Sequence, residues 1–289
     1  MGDVVCKFGG RVKENGNCTK VDDDGFAVQS VGPWVEDKHD LLQRYLEATH
    51  AVRSRFLGPN KGGAAFVDLF AGPGRVRIRN ADHVQRGSAL LAQAHQRAPF
   101  SHLVFCDLDE ENVAALAGRT VADRRVTVLP GDCNLRIDDL VQRIPRDGLN
   151  IALIDPFGAK PLKWSTVEKL ARFKRMDLLI HFPTNAIKRN FLNDYVTDFD
   201  DVIDALVGTE QWRERVRTLG EVVTLMDLLR ERLVALGYDS ERVRAIPITN
   251  TGGGLLYHLM FASKDRRGTE IWKSLARNSR TQRGFAFDE

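Results

Sequence analysis

The sequence predicts an α/β fold: a doubly wound, Rossmann-like sheet finished by a terminal antiparallel hairpin, with an N-terminal arm and a helical insertion. Three observations lead there. Apolar β-prone runs alternate with runs of helical period between residues 64 and 182, the pattern of right-handed crossovers and a parallel sheet covered on both faces. Each of those strands ends in an acidic or Gly/Pro-bearing turn. Two β-prone runs, Arg242 to Ile248 and Leu255 to Ala262, are joined by Asn250-Thr251-Gly252-Gly253-Gly254 with no helix between them, which makes a hairpin.

Residues 1–60 read as an arm and a helix. Gly9-Gly10, Asn15-Gly16-Asn17 and Asp22-Asp23-Asp24-Gly25 are turn chemistry separating short β-prone pieces, so the segment should pack on the main domain rather than form a core. After Gly32-Pro33, the residues Val35, Leu41, Leu42, Tyr45 and Leu46 fall near a 3.6-residue period and place Lys38 and His39 near the first turn of a helix. Residues 61–187 form the Rossmann-like core. Its first strand runs from Ala64 to Phe70 and breaks into Ala71-Gly72-Pro73-Gly74-Arg75. The next helix begins only near Gly87-Ser88, with Ser88 as its N-cap. A dinucleotide fingerprint requires the glycine turn to open the helix directly, so a nicotinamide site is disfavoured.

Strands follow at Leu103 to Cys106, Arg125 to Leu129, Asn150 to Ile154 and Asp177 to Phe182, with helices at Glu110 to Leu116, Leu135 to Ile144 and Ser165 to Lys174. Residues 188–224 are more chain than a connection needs, carrying an acidic run from Asp198 to Asp204 and a helix from Gln211 to Thr218; this is the insertion. Residues 225–289 complete the core, with a helix from Leu225 to Leu236, the hairpin, and a basic tail from Lys264 to Arg283.

Composition narrows the class. With 289 residues and 43% hydrophobic content the chain can bury a substantial core, and a net charge of +3 does not by itself announce nucleic-acid binding. No apolar run approaches the roughly 20 residues that span a bilayer, and no signal-peptide pattern opens the chain, so a cytoplasmic protein is expected. Cys6, Cys18, Cys106 and Cys133 lack Cys-x-x-Cys spacing, which argues against a disulfide framework and a zinc ribbon. Cys6 and Cys18 read as two unrelated reduced thiols, the alternative being half of a metal site.

In a doubly wound sheet the C-terminal strand ends share one edge, which gathers Asp68, Asp107, Asp132 and Asp155 around one crevice. Glycines after the first strand and acids after the next two resemble the class I S-adenosylmethionine-dependent methyltransferases. The resemblance implies S-adenosylmethionine as cofactor, lying over the turn that Asp68, Phe70, Gly72 and Gly74 build. Asp107 would accept hydrogen bonds from the ribose hydroxyls, with Asp109 as the alternate, and Asp132 from the adenine amino group. Asp155-Pro156-Phe157-Gly158 is similar to the Asp/Asn-Pro-Pro-Tyr/Phe motif of enzymes that methylate exocyclic amines of adenine or cytosine. There the acid accepts from the amine while the aromatic stacks on a flipped base. Here Phe157 stands at the second proline position and Gly158 replaces the aromatic, so Phe157 has a second reading as a core anchor. The glycine turn with Lys38-His39 also looks like adenine-modifying ribosomal RNA methyltransferases, in which such a lysine reaches the cofactor carboxylate. His181, Asn185, Lys188 and Arg189 follow the fifth strand on the substrate side. Arg75, with Arg77, Arg79 and Arg86, sets positive charge at the crevice mouth for a phosphate.

A further resemblance spans nearly the whole chain. It rests on Val31-Gly32-Pro33-Trp34 with Lys38-His39, Asp68 to Gly74, Gly87-Ser88, Gly131-Asp132 with Asn134, Asp155 to Gly158, Phe182-Pro183 with Arg189-Asn190, and Leu256-Tyr257 to Lys264. These ordered blocks resemble the three-Cys-motif partner protein (TcmP) family, which implies association with a phage-type protein bearing three cysteines. The expected function is therefore an S-adenosylmethionine-dependent methyltransferase, acting on a nucleic acid or nucleobase amine and working with that partner. The alternative is a non-catalytic binding or scaffold protein that keeps the fold. A third reading, a metal-dependent nuclease, would use Asp68, Asp132 and Asp155 as ligands.

Overall fold

The computed structural model describes residues 6, 10–13, 18–79, 81, 83–159, 161–192, 199–219, 221–250 and 252–277. The arm contributes β1 (Arg11–Val12), β2 (Cys18–Val21) and β3 (Ala27–Val31), followed by α1 (Trp34–Ala48) and the short α2 (His50–Arg53). The core begins with β4 (Ala64–Asp68), whose glycine turn leads into β5 (Arg75–Ile78), β6 (Val84–Arg86) and α3 (Ser88–Ala94). Strand and helix then alternate through β7 (His102–Asp107), α4 (Glu110–Thr120), β8 (Val126–Pro130), α5 (Cys133–Val141), β9 (Leu149–Ile154), α6 (Trp164–Ala171) and β10 (Met176–Phe182). Helices α7 (Thr184–Leu192), α8 (Phe199–Val207), α9 (Trp212–Leu219) and α10 (Glu221–Ala235) precede the hairpin β11 (Val243–Thr249) and β12 (Leu255–Ala262), and α11 (Arg266–Arg277) closes the described chain.

The main sheet has the order β11-β12-β10-β9-β4-β7-β8, with β10, β9, β4, β7 and β8 mutually parallel and β12 antiparallel to both its neighbours. This is the doubly wound, mostly parallel sheet with a terminal antiparallel hairpin that the sequence predicts. Its interior strand β4 is buried at every position, and its side chains alternate between two cores. Ala65 and Val67 pack with Ile137, Leu140, Val167 and Leu170 on one face, while Ala64 and Phe66 pack with Leu41, Leu42, Tyr45 and Leu46 on the other. Ile203, Leu206 and Trp212 of the predicted insertion join the first of these cores.

A second sheet, β1-β2-β3-β5-β6, was not foreseen. The arm pairs through β3 with β5 in parallel, so the residues after the glycine turn are a strand that holds the arm down. Its anchoring is ionic as well. Arg119 of α4 forks onto Asp24 at 2.7 Å and donates to the carbonyls of Ala27 at 2.8 Å and Pro73 at 2.6 Å. The reading of Cys6 and Cys18 as separate thiols is corrected: they form a disulfide, because β2 brings Cys18 within a Cα separation of 5.8 Å of Cys6. Ser88 is not the cap of α3; Gly87 holds that position and the serine lies inside the first turn. Asp198, Arg280 and Arg283 lie outside the described residues.

Candidate functional site

The floor of the crevice is the turn after β4. Gly72 adopts φ 61° and Gly74 φ 88°, left-handed conformations that favour glycine. The two serve different ends. A Cβ on Gly74 would come within 3.0 Å of Leu116 Cδ1 and 3.2 Å of Leu90 Cγ, so that glycine lets α3 and α4 close on the turn. A Cβ on Gly72 would meet only Gln29 Oε1, at 3.5 Å, which leaves its far side open to a ligand. Asp107 fixes this turn across the sheet by accepting the Gly72 N–H at 2.8 Å.

The four strand-end acids divide by partner. Asp68 is fully buried, accepts from the Ser88 hydroxyl at 2.5 Å and the Phe70 N–H at 3.2 Å, and is pushed by burial up to about 7. It braces β4 against α3 and does not line the opening. Phe70 is half-buried against the core. Asp107 takes the Asp109 N–H and Asn112 Nδ2 on one oxygen, at 2.9 and 3.1 Å, and only the Gly72 N–H on the other. That second oxygen keeps a lone pair for a hydroxyl. Burial raises the Asp107 carboxyl above its ordinary value. Asp109, the alternate, caps α4 and receives Lys13 at 2.6 Å, so it is already engaged. Asp132 caps α5 and accepts from Asn134 Nδ2 at 2.7 Å; that asparagine in turn ties Pro161, Lys163 and Thr166 of the stretch after β9. Beside these acids Leu108 is 67% and Leu135 79% exposed, two apolar side chains at adjacent strand ends.

At the other side of β4 the end of β9 forms a buried polar cluster. Asp155 pairs with Lys38 of α1 through one carboxylate oxygen and with His181 Nδ1 at 2.8 Å through the other. Burial alone would raise the Asp155 carboxyl; the Lys38 ammonium and the His181 ring overcome it and hold it well below the usual carboxylate range. His181 lies face to face with Tyr257, ring centroids 3.9 Å apart. The register explains this: His181 of β10 opposes Leu259 of β12, so Tyr257 is its diagonal neighbour on the same face. The Tyr257 hydroxyl is buried and has no hydrogen-bond partner. His39, next along α1, is held neutral by burial, its ring down to about 3.

Lys38 pairs with Asp155 at the end of β9. Pro156 is buried, and Phe157 is 56% exposed, which overturns its reading as a core anchor. Asn185, Lys188 and Arg189 lie on α7, the last two exposed. Arg75 is not free at the crevice mouth: it pairs with Asp22 at 3.1 Å and Asp23 at 2.8 Å on the arm, because β5 runs beside β3. Among the described residues the only acidic group tight enough to share an ion is Asp22, Asp23 and Asp24, already met by Arg75 and Arg119, so Asp68, Asp132 and Asp155 do not form the nuclease cluster. Sequence reasoning missed Lys13, Arg119, Leu108, Leu135 and the placement of Tyr257 against His181. Only Tyr257 had a signal, its place on the buried face of an alternating strand with Leu259 and Phe261.

No family model and no curated protein matches the chain. Among solved structures, protein LPL1258 from Legionella pneumophila is similar at TM-score 0.50 and 12% identity, covering 86% of this chain and 93% of that one. This likeness shows the fold. The O-methyltransferase TomG from Streptomyces achromogenes, solved in complex with SAM, is similar at TM-score 0.45 and 9% identity over 78% of this chain and 80% of that one. The chain spans 42% of EvdMO1, which matches 79% of this chain at TM-score 0.41 and 14% identity. At those scores the last two carry no weight.

Proposed function

We propose that this protein is an S-adenosylmethionine-dependent methyltransferase acting on an exocyclic amine of a nucleobase in DNA or RNA. The observation that carries the reading is the open side of Gly72, braced by an Asp107 carboxylate that keeps an acceptor site free, on the strand-end edge of a methyltransferase-type sheet. The donor and acceptor set fits the cofactor. Gly72 allows close approach of the methionine part, Asp107 suits the ribose hydroxyls, Asp132 the adenine amine, and Leu108 and Leu135 offer apolar faces to the ring. The cofactor would supply an electrophilic methyl group on a sulfonium. The protein's part is to hold the acceptor amine in line and exclude water. Phe157, exposed directly after Asp155 and Pro156, supports a stacked base, and the exposed Lys188 and Arg189 support a phosphate backbone nearby.

Isothermal titration with S-adenosylhomocysteine tests the cofactor, and transfer of tritiated methyl to bulk DNA and bulk RNA tests the substrate and separates the two pools. A well-folded protein that fails to bind S-adenosylhomocysteine sinks the reading. A second reading has its own observation: both oxygens of Asp155 are engaged by Lys38 and His181, as befits a chain that keeps the fold and acts as a binding partner. Co-purification with a TcmP-associated three-cysteine-motif protein, with no methyl transfer to either pool, would favour it. No helix among the described residues is long and apolar enough to cross a membrane; the cytoplasmic location expected from the sequence stays a proposal, and the Cys6–Cys18 disulfide stands against it. A reducing cytosol would keep Cys6 and Cys18 as thiols, so the disulfide state reports on that placement.

A further inference from the structure

The motif comparison gives Asp155 the task of accepting a hydrogen bond from the substrate amine. The geometry already gives each of its oxygens a donor. One oxygen faces the Lys38 ammonium and the other receives His181 Nδ1, and both partners are largely buried. The imidazole differs. Its Nδ1 is committed to a charged carboxylate, its plane is fixed by the Tyr257 ring, and its Nε2 makes no hydrogen bond among the described residues. A carboxylate on Nδ1 selects the tautomer in which Nδ1 carries the proton and Nε2 carries the lone pair. On the stacked ring, the Tyr257 hydroxyl is buried, without a hydrogen-bond partner among the described residues, and able to donate. An unpaired buried hydroxyl costs stability unless something fills the place, so this hydroxyl, on the ring stacked against the imidazole, supports a ligand position there.

Resting on the methyltransferase reading above, we propose that His181 Nε2 is the proton acceptor for the substrate nitrogen, with Asp155 and Tyr257 as its positioning residues. The balance is as follows. As the amine nitrogen bonds to the methyl carbon, the carbon–sulfur bond breaks and its electron pair stays on sulfur, leaving a neutral thioether. The nitrogen's surplus proton passes to Nε2, its bonding pair remaining on nitrogen. The positive charge that began on the sulfonium ends on the imidazolium, where the Asp155 carboxylate stabilises it, and the proton is then lost to solvent. The surrounding groups suit this. Lys38 keeps Asp155 ionised, His39 is neutral, Asp68 feels the charges of Asp155 and Lys38 but is buried and bonded to Ser88, and His258 of β12 is turned to Thr184 at 2.6 Å.

Nitrogen-15 NMR of the imidazoles in the full-length protein reads the tautomer without any substrate. We expect Nδ1 protonated and Nε2 bare in wild type, and loss of that fixed tautomer in Asp155→Asn. His181→Gln should bind S-adenosylhomocysteine within about twofold of wild type yet transfer methyl to nucleic acid at least about 100-fold more slowly, with the acid limb of the rate profile gone. Tyr257→Phe, which keeps the ring, should retain the acid limb and lose part of the rate. An Nε2-protonated tautomer, or His181→Gln with wild-type rate and profile, overturns the proposal. If wild type transfers methyl to neither pool, the proposal falls with the reading it rests on, and the titration in the same protein shows whether the cofactor site failed as well.

Discussion

Lys38→Met separates two accounts of that lysine. If Lys38 served the cofactor carboxylate, its loss would cost affinity and leave the fold alone. In the structure it neutralises Asp155, with side chains 10% and 18% exposed. Breaking one partner from a buried pair costs about 3–5 kcal/mol, and Asp155 retains His181 and some solvent, so about 2–3 kcal/mol is expected. For 289 residues the unfolding entropy is about 0.6 kcal/mol/K, which converts this to a fall in Tm of about 3–5 °C. The pH dependence has a definite sign. The folded Asp155 carboxyl lies below its ordinary value of 3.8, so its contribution is present above that value and lost as pH falls through the folded one. Without Lys38 the buried carboxyl titrates higher, and the gap between variant and wild type should narrow below about pH 4. Removing both charges in Lys38→Met with Asp155→Asn should recover at least about 1 kcal/mol relative to the sum of the single changes. Differential scanning calorimetry across pH, with S-adenosylhomocysteine titration at pH 7, gives both readouts. Strict additivity, or an unchanged Tm with a tenfold loss of S-adenosylhomocysteine affinity, would refute the pairing argument.

Three further outcomes are expected. Asp177, buried, receiving the Tyr45 hydroxyl at 2.5 Å and raised to about 6, holds its proton in the folded chain over a window where the unfolded chain releases it. Wild type should therefore lose stability relative to Asp177→Asn as pH rises from about 4 to 6, and a flat difference between their denaturation curves over that range would contradict it. Gly72→Ala and Gly74→Ala should part company: both pay about 1–2 kcal/mol for left-handed backbone, but Gly74→Ala adds a clash with Leu116 and Leu90 while Gly72→Ala chiefly weakens S-adenosylhomocysteine binding, as calorimetry of the two variants will show. Phe157→Ala should leave stability within about 0.5 kcal/mol, since the ring is exposed, and reduce methyl transfer to nucleic acid; a marked fall in Tm would place the ring in the core after all.

Much of the molecule was legible in the chain because its signals are local. The run from Ala64 to Asp68 is apolar at almost every position, as a strand covered on both faces must be, and the Gly72 and Gly74 positions require backbone that other residues avoid. Those two facts, repeated through the alternation, sufficed for the sheet and for the row of acids along its edge. What escaped was pairing. Nothing local distinguishes Asp68, which braces a helix through Ser88, from Asp107, which keeps a lone pair free on its second oxygen. The partner of Arg75, Asp22, lies on an arm 53 residues upstream in sequence, reachable only once β3 and β5 are side by side.

The sequence by itself determined the strand order's raw material, the glycine turn and the identity of the strand-end acids, since periodicity and backbone preference are properties of neighbouring residues. Tertiary structure decided which charges neutralise one another. Lys38 meets Asp155, the arm's Asp22 claims Arg75 while its Lys13 meets Asp109, Cys6 meets Cys18, and a tyrosine from the last strand is laid against His181. The reason is physical: a buried charge takes its role from what lies within a few ångströms in space, and crossovers and strand register, not spacing along the chain, set that neighbourhood.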